Sequence, residues 1–166
     1  RGKITVDGRY ETSVPGIYAI GDVTGGIQLA HVATGEGRSA VAYMNNSYPS
    51  IDMTIVPSCI YTHPEIASVG LSGDEVKKQG LKVITHKYAM GSNGKSILSL
   101  QERGFIKIIA DEDTHKVLGA QMMCARATDM ISQFSQAIVS GLTLEEMSKT
   151  IYPHPSFSEG IGEALK

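Results

Sequence analysis

Residues 104–124, GFIKIIADEDTHKVLGAQMMC, contain two apolar runs joined by a short polar turn. The runs, 104–110 and 116–123, are rich in isoleucine, valine and methionine, and the turn between them reads DEDTH. Apolar runs of this length, bounded by turn residues, are typical of strands. A connection this short joins two strands only as an antiparallel pair. Residues 82–90 have the same character, so the sequence predicts an antiparallel sheet.

Helices are predicted before and after these strands. Ser72 and Glu75 have the spacing of a capping box, in which each side chain binds the other residue's backbone N–H, and they open a short helix. Thr143 and Glu146 repeat this signature. Apolar residues within 131–142 recur at helical spacing. The predicted fold class is therefore α+β, an antiparallel sheet flanked by helices.

The first 45 residues are organised differently. Ile17–Ile20 is an apolar run typical of a fully buried strand, and the small residues of 29–44 predict a closely packed helix. A buried strand needs neighbours on both edges, and the rest of the sequence offers no obvious ones. We therefore expect residues 1–48 to be a strand-helix remnant, the C-terminal end of another domain. Residues 49–166 are expected to form a complete domain.

Charge and composition exclude several classes of protein. The 166 residues include 15 Lys and Arg against 17 Asp and Glu, a net charge of −2, which argues against nucleic-acid binding. No apolar run reaches the ~20 residues that span a bilayer, so we expect no membrane partner. Cys59 and Cys124 have neither C-x-x-C nor zinc spacing, which favours a reducing, cytoplasmic location. The sequence starts at Arg1 rather than Met, so we expect a longer parent protein.

The segment with the clearest chemical character is PHPSFSE, residues 153–159. A proline on each side of His154 restricts the backbone there. Glu159, one turn into a following helix, can accept the Nδ1 proton of His154, which would raise the basicity of the imidazole and make it a general base near neutral pH. Ser156 and Glu159 also have capping-box spacing. Spacing alone leaves both interpretations open, and they are not exclusive.

A second candidate site lies at the end of the predicted strand 17–20. Asp22 follows the carboxyl end of that strand, where ligands collect in open α/β sheets, and its carboxylate can accept hydrogen bonds from a ribose or ribityl hydroxyl. Gly25 and Gly26 allow a ligand to approach the backbone closely. A helix starting near Gln28 would direct free N–H groups toward that ligand. The alternative, that Asp22 is a turn or helix-cap residue, stays open.

The remaining motifs give weaker signals. Residues 35–40, GEGRSA, match the dinucleotide fingerprint only formally, because that fingerprint needs a strand before its first glycine and residues 29–34 are predicted to be helical. His63 is predicted to be a structural turn residue. His86 and His115 have no partner nearby in the sequence. No two histidines have i, i+4 spacing, so we expect no metal site.

Together these motifs resemble the pyridine nucleotide–disulfide oxidoreductases. In chain order they are TSVPGIYAIGD (12–22), LAH (29–31), YTHPEIA (61–67), GFIK (104–107) and His154-Pro155 with Glu159. The first two resemble the family's second FAD motif, and the others resemble its C-terminal dimerisation domain. The resemblance covers essentially the whole chain and is strongest to the dihydrolipoamide dehydrogenase branch. Tyr152 and Pro153 depart from the His-Ala pair typical of that branch.

The resemblance implies a role for each candidate residue. Asp22 would bind the ribityl chain of FAD, and a short stretch of backbone would run along the flavin ring. The residues of that stretch are Gln28, Leu29, Ala30 and His31. His154, held by Glu159, would take a proton from a dihydrolipoyl thiol. It would do so at the disulfide of the partner subunit, so that a homodimer builds the site.

The resemblance also implies cofactors and partners. They are FAD, held only in part by this chain, NAD in the parent enzyme, and the lipoyl-bearing acyltransferase of a 2-oxoacid dehydrogenase or glycine cleavage complex. The family's N-terminal FAD fingerprint, its Cys-x4-Cys pair and its NAD domain have no counterpart in this sequence, so we expect the chain alone to be inactive. Two alternatives stay open: another disulfide reductase branch, similar to glutathione or mercuric reductases, and a stand-alone dimerisation module.

Overall fold

A computed structural model describes residues 2–166 and divides the chain into two compact units. The first unit ends at Thr54 and the second begins at Ile55. The boundary predicted from the sequence, between residues 48 and 49, falls a few residues earlier. No helix among residues 2–166 has both the length and the apolar character needed to cross a bilayer.

The second unit is built on five antiparallel strands. They are β1 Ser58–Ile60, β2 Glu65–Gly70, β3 Val83–Ala89, β4 Phe105–Asp111 and β5 Val117–Cys124. Their order in the sheet is β1-β2-β5-β4-β3. The predicted strands 82–90, 104–110 and 116–123 correspond to β3, β4 and β5, and the last two form the expected hairpin. The sequence did not predict β1 and β2, which pair with each other and add β2 to the free edge of β5.

Helices surround this sheet, which confirms the α+β fold class. They are α2 Gly73–Gln79, α3 Gly94–Leu98, α4 Ala127–Val139, α5 Leu144–Ser148 and α6 Glu159–Ala164. Helix α1, Ala30–Met44, belongs to the first unit. Both predicted capping boxes are present, at the starts of α2 and α5. A turn of 3-10 helix, Met90–Ser92, connects β3 to the start of α3.

The core of the second unit lies between one face of the sheet and two helices. Strand β4 buries alternate residues, Ile106 and Ile108, because successive side chains of a strand point to opposite faces. Helix α4 packs across β2 and β5, and its Phe134 is completely buried. Helix α6 packs on β3 and β4, with Ile161 completely buried. This packing places the first residue of α6, Glu159, at the edge of a well-filled core.

In the first unit, α1 follows a turn of 3-10 helix, Gly21–Thr24. The prediction that Ile17–Ile20 is a fully buried strand is wrong. Ile17 is 54% exposed and Ile20 is 38% exposed, and among the described residues this run has only a single bridge, between Tyr18 and Glu11. A strand acquires regular hydrogen bonds and burial only from neighbouring strands, and residues 2–54 provide none beside it.

Residues 35–40 lie inside α1, as predicted, so they are not a dinucleotide fingerprint. Their small side chains allow close packing. A Cβ on Gly35 would lie 2.8 Å from the sulfur of Met53, and one on Gly37 would lie 3.1 Å from Cδ1 of Ile20.

Candidate active site

His154 lies in the irregular segment between α5 and α6, with a proline on each side, and the His154–Pro155 peptide bond is cis. Its Nδ1 is 2.7 Å from Oε1 of Glu159. The histidine side chain is 77% exposed and the glutamate side chain 25% exposed. The carboxylate therefore lies at the base of the pair, and the imidazole projects toward solvent.

Glu159 makes the capping contacts as well as the contact with the imidazole. Its Oε2 accepts a hydrogen bond from the backbone N–H of Ser156 at 2.8 Å, and its own N–H donates to the Ser156 hydroxyl at 3.3 Å. The contacts with His154 and with Ser156 thus occur together, one on each carboxylate oxygen, but Ser156 is not the N-cap of α6, which is Ser158. Glu159 was expected one turn into a helix, but it is the first residue of α6, because the reciprocal contacts with Ser156 form a separate turn just before that helix.

The protonation pattern of the pair follows from these contacts. Hydrogen bonds from the Ser156 backbone and from His154 hold the pKa of Glu159 below its ordinary value of 4.5. An ionised carboxylate can only accept hydrogen bonds, so Nδ1 of His154 must be the donor. In the neutral imidazole, Nε2 then carries the lone pair and is available to accept a proton. A histidine arranged in this way can act as a general base.

Asp22 lies in the 3-10 helix Gly21–Thr24 of the first unit and is exposed. Within residues 2–166, its carboxylate accepts no hydrogen bond from the protein. The backbone of the preceding residue is held by α1, since the N–H of Gly21 donates to Glu36 Oε2 at 2.6 Å. An exposed carboxylate with no partner among these residues can accept hydrogen bonds from a polyhydroxyl chain.

The start of α1 is the other part of this candidate cofactor site. The helix begins at Ala30, two residues later than predicted, and its N-cap, Leu29, has no side chain that can cap it. Gln28, Ala30 and His31 are exposed, and Leu29 is half-buried. An uncapped helix start presents backbone N–H groups to a ligand. These observations fit the FAD site implied by the sequence resemblance.

Two histidines have partners that the sequence did not reveal. No partner of His115 lies nearby in the sequence, but its Nδ1 contacts Glu145 Oε1 of α5, and that contact lowers the pKa of Glu145. His86 Nδ1 lies 3.2 Å from the carbonyl oxygen of Ala164. Both partners are distant in sequence, so local spacing could not indicate them. Among residues 2–166, no group of three or more His, Cys, Asp and Glu side chains could hold a metal ion.

Two family sequence profiles match the chain. Residues 56–165 match the dimerisation domain of the pyridine nucleotide-disulphide oxidoreductases. Residues 1–37 match a second profile, described as pyridine nucleotide-disulphide oxidoreductase. The two matches together cover most of the sequence.

Individual relatives agree with the profiles. A dihydrolipoyl dehydrogenase of Bacillus subtilis is 47% identical over 164 residues, covering 98% of this chain and 35% of the relative. One from Mycoplasma pneumoniae is 38% identical, covering 100% of this chain and 37% of the relative. The chain thus spans about a third of the length of these relatives.

Solved structures have the same fold. The crystal structure of LpdA from Mycobacterium tuberculosis matches with a TM-score of 0.91 and 31% identity, covering 98% of this chain and 36% of that one. The HOCl-induced flavoprotein disulfide reductase RclA of Escherichia coli matches with a TM-score of 0.93 and 26% identity, covering 99% of this chain and 38% of that one.

Proposed function

Because the chain belongs to the pyridine nucleotide-disulphide oxidoreductase family, we propose that it is the C-terminal part of a dihydrolipoyl dehydrogenase. On this proposal, residues 1–48 end the FAD-binding domain and residues 49–166 form the dimerisation domain. The names of the relatives support this choice, since both the Bacillus subtilis and Mycoplasma pneumoniae proteins are dihydrolipoyl dehydrogenases. The parent enzyme would use FAD and NAD to oxidise dihydrolipoamide.

The observation that carries this proposal is the 2.7 Å contact between His154 Nδ1 and Glu159 Oε1, beneath an exposed imidazole. In the proposed step, Nε2 of His154 takes the proton of a dihydrolipoyl thiol. The S–H bond breaks and its electron pair stays on sulfur, giving a thiolate that attacks the disulfide of the enzyme. A mixed disulfide forms as the S–S bond of the enzyme breaks, and the second cysteine leaves as a thiolate. Thiols are poor nucleophiles until they are deprotonated, so a positioned base accelerates this exchange.

The cofactor residues of the first unit would complete the parent's FAD site. Asp22 would accept hydrogen bonds from ribityl hydroxyls, and the backbone of Gln28, Leu29, Ala30 and His31 would line the flavin ring. Bound FAD supplies two-electron transfer between the dithiol and NAD. This chain would hold only part of the site, which is why we expect it to be inactive alone.

Dimerisation is part of the proposal, because the matched profile is that of a dimerisation domain. His154 of one subunit would serve the disulfide of the other in a homodimer. The dihydrolipoyl group would be carried by the acyltransferase of a 2-oxoacid dehydrogenase or glycine cleavage complex. The cytoplasmic location of the parent stays a prediction.

The test is to replace His154 in the parent enzyme. We expect His154→Ala to lower turnover of dihydrolipoamide by about two to four orders of magnitude, the range for loss of a general base. His115→Ala is the matched control, since His115 is also exposed and also contacts a glutamate, but lies outside the proposed site. It should retain the turnover of the unmodified enzyme. Flavin absorbance confirms that both variants hold FAD, and a loss below about tenfold in His154→Ala would contradict the assignment.

The alternative function is that of another branch of the family, a disulfide reductase with a different substrate. RclA, a flavoprotein disulfide reductase, has the same fold at 26% identity, and Tyr152 and Pro153 depart from the pair typical of dihydrolipoamide dehydrogenases. Assaying the parent with dihydrolipoamide and with glutathione disulfide distinguishes the two. Preference for glutathione disulfide would replace the dihydrolipoyl assignment while keeping the role of His154.

A further inference from the structure

We propose that Asn93 is a positioning residue that holds the loop carrying His154, an inference that rests on the function proposed above for that histidine. Asn93 is far from the loop in sequence and has no contact with the imidazole itself among the hydrogen bonds of residues 2–166. It acts through Ser156, which lies between His154 and Glu159.

The amide of Asn93 is buried and uses both of its ends. The residue is 3% exposed. As the N-cap of α3, its Oδ1 accepts hydrogen bonds from the N–H of Ser96 at 2.9 Å and from the Ser96 hydroxyl at 3.0 Å. Its Nδ2 donates to the carbonyl oxygen of Ser156 at 3.0 Å. One buried side chain therefore joins the start of α3 to the histidine loop.

This bond completes a chain of contacts that ends at the imidazole. Asn93 holds the carbonyl of Ser156, while the N–H of Ser156 donates to Glu159 Oε2 at 2.8 Å. The other oxygen of that carboxylate contacts His154 Nδ1. The carbonyl and the N–H of Ser156 belong to the successive peptide units on either side of the Ser156 Cα, so neither unit can rotate without breaking a hydrogen bond. The unit that carries the N–H sets the direction of the Glu159 carboxylate, and with it the tautomer of His154, while Asn93 holds the next unit of the same backbone.

The start of α3 also lies beside the imidazole. A Cβ on Gly94 would be 3.9 Å from Cε1 of His154, so the backbone that follows Asn93 borders the ring. Movement of the histidine loop away from Asn93 would thus change the surroundings of the ring as well as its hydrogen bond.

Capping alone does not account for an asparagine at this position. An N-cap needs only an acceptor oxygen, which serine or aspartate provides equally well. The Nδ2 donor contributes nothing to α3, and its partner is the carbonyl of Ser156. Ser156 is half-buried, and a carbonyl that is shielded from water without a donor costs free energy, so the Asn93 amide stabilises the loop separately from the helix.

Asn93→Asp separates these two roles, because it keeps the capping oxygen and loses the donor to Ser156. Ser96→Ala is the matched control. It removes the hydroxyl that binds Oδ1 and leaves the Nδ2 donor in place. Asn93→Ser is a second variant that also keeps a capping oxygen and adds no charge. It can be compared with Ser96→Ala if Asn93→Asp does not fold.

Two quantities are measured, the tautomer of His154 and the turnover of the parent enzyme. Nitrogen NMR of the imidazole in the 166-residue chain reports the tautomer of His154, which should be Nδ1–H in the unmodified protein and in Ser96→Ala. We expect both Asn93 variants to lose that signature. In the parent enzyme they should lower kcat for dihydrolipoamide by about 10- to 100-fold, the effect of a displaced catalytic group, with a smaller change in KM.

The results distinguish the positioning role of Asn93 from the acid/base role of His154. Unchanged tautomer and kcat in a folded Asn93 variant would overturn the positioning role. A lost tautomer signature with unchanged kcat would support positioning by Asn93 and contradict the acid/base role of His154. An equal fall in kcat for Ser96→Ala would show that the stability of α3, not the Ser156 contact, is responsible, and would also overturn the proposal.

Discussion

Replacing Gly70 by alanine should destabilise the second unit much more than replacing Gly80, although the two glycines have nearly the same positive φ angle. Their φ angles are 68° and 65°, a left-handed region in which a side chain costs ~1–2 kcal/mol. A Cβ on Gly80 would meet nothing within 4 Å, so strain is its whole cost. A Cβ on Gly70 would lie 2.2 Å from the carbonyl oxygen of Leu118 and 2.8 Å from Cδ1 of Ile138.

The additional cost at Gly70 arises from the sheet and the helix packed on it. The Leu118 carbonyl accepts a hydrogen bond from the N–H of Leu71 at 2.8 Å, and moving it away weakens a bond worth ~1 kcal/mol. Overfilling a packed site adds a further ~1–3 kcal/mol. We therefore expect the free energy of unfolding to fall by about 3–6 kcal/mol for Gly70→Ala and by about 1–2 kcal/mol for Gly80→Ala.

Urea unfolding of the chain, followed by circular dichroism, measures the difference between the two variants. With a slope of ~2 kcal/mol per molar urea, a difference of ~3 kcal/mol separates the two midpoints by about 1.5 M. The unmodified chain provides the reference slope. Midpoints that agree within about 0.3 M would show that the sheet accommodates the methyl group without cost, and the packing argument would be wrong.

Two further predictions concern titratable groups. Burial and, to a smaller extent, the nearby Glu65 raise the pKa of the Cys124 thiol to about 12, and they also raise the pKa of the less buried Cys59. Iodoacetamide should therefore alkylate Cys59 at least about tenfold faster than Cys124 in the folded chain. Equal alkylation rates of the two cysteines, measured by mass spectrometry, would contradict this. Because its folded-state pKa is depressed, the stabilising contribution of Glu159 is complete above its ordinary value of 4.5 and is lost as the pH falls through the lower folded value. Glu159→Gln should accordingly have a lower urea midpoint than the unmodified chain near neutral pH and converge with it as the pH falls below 4.5, whereas a constant difference would count against the cited hydrogen bonds.

Features that depend on neighbours in sequence could be predicted from the sequence. The capping box of Ser72 and Glu75 is present, with the Ser72 N–H donating to Glu75 Oε2 at 2.7 Å. That of Thr143 and Glu146 has the same contact at 2.8 Å. Each box needs only two residues three positions apart and no other part of the fold. The hairpin of β4 and β5 was also predictable, because its two strands are adjacent in sequence and are joined by a short turn.

Features that depend on distant parts of the chain were missed or wrong. Strand β2 is half-buried only because β5 and α4, both more than forty residues later in sequence, pack against it. The contact of His115 with Glu145 joins a hairpin turn to a different helix. Ile17–Ile20 has the composition of a buried strand, but residues 2–54 place no strand beside it.

The candidate active site combines both kinds of contact. The sequence allowed Glu159 to contact both His154 and Ser156, and the structure shows how: Oε1 contacts His154 and Oε2 accepts from the N–H of Ser156. These contacts lie within a six-residue segment and are readable from spacing. The contact of Asn93 with Ser156 spans 63 positions, and a capping asparagine looks the same in sequence whether or not its amide has a second partner. Transferring residues 153–159 to another scaffold would therefore carry over the hydrogen bonds of Glu159 but lose the support that fixes the peptide between it and the histidine.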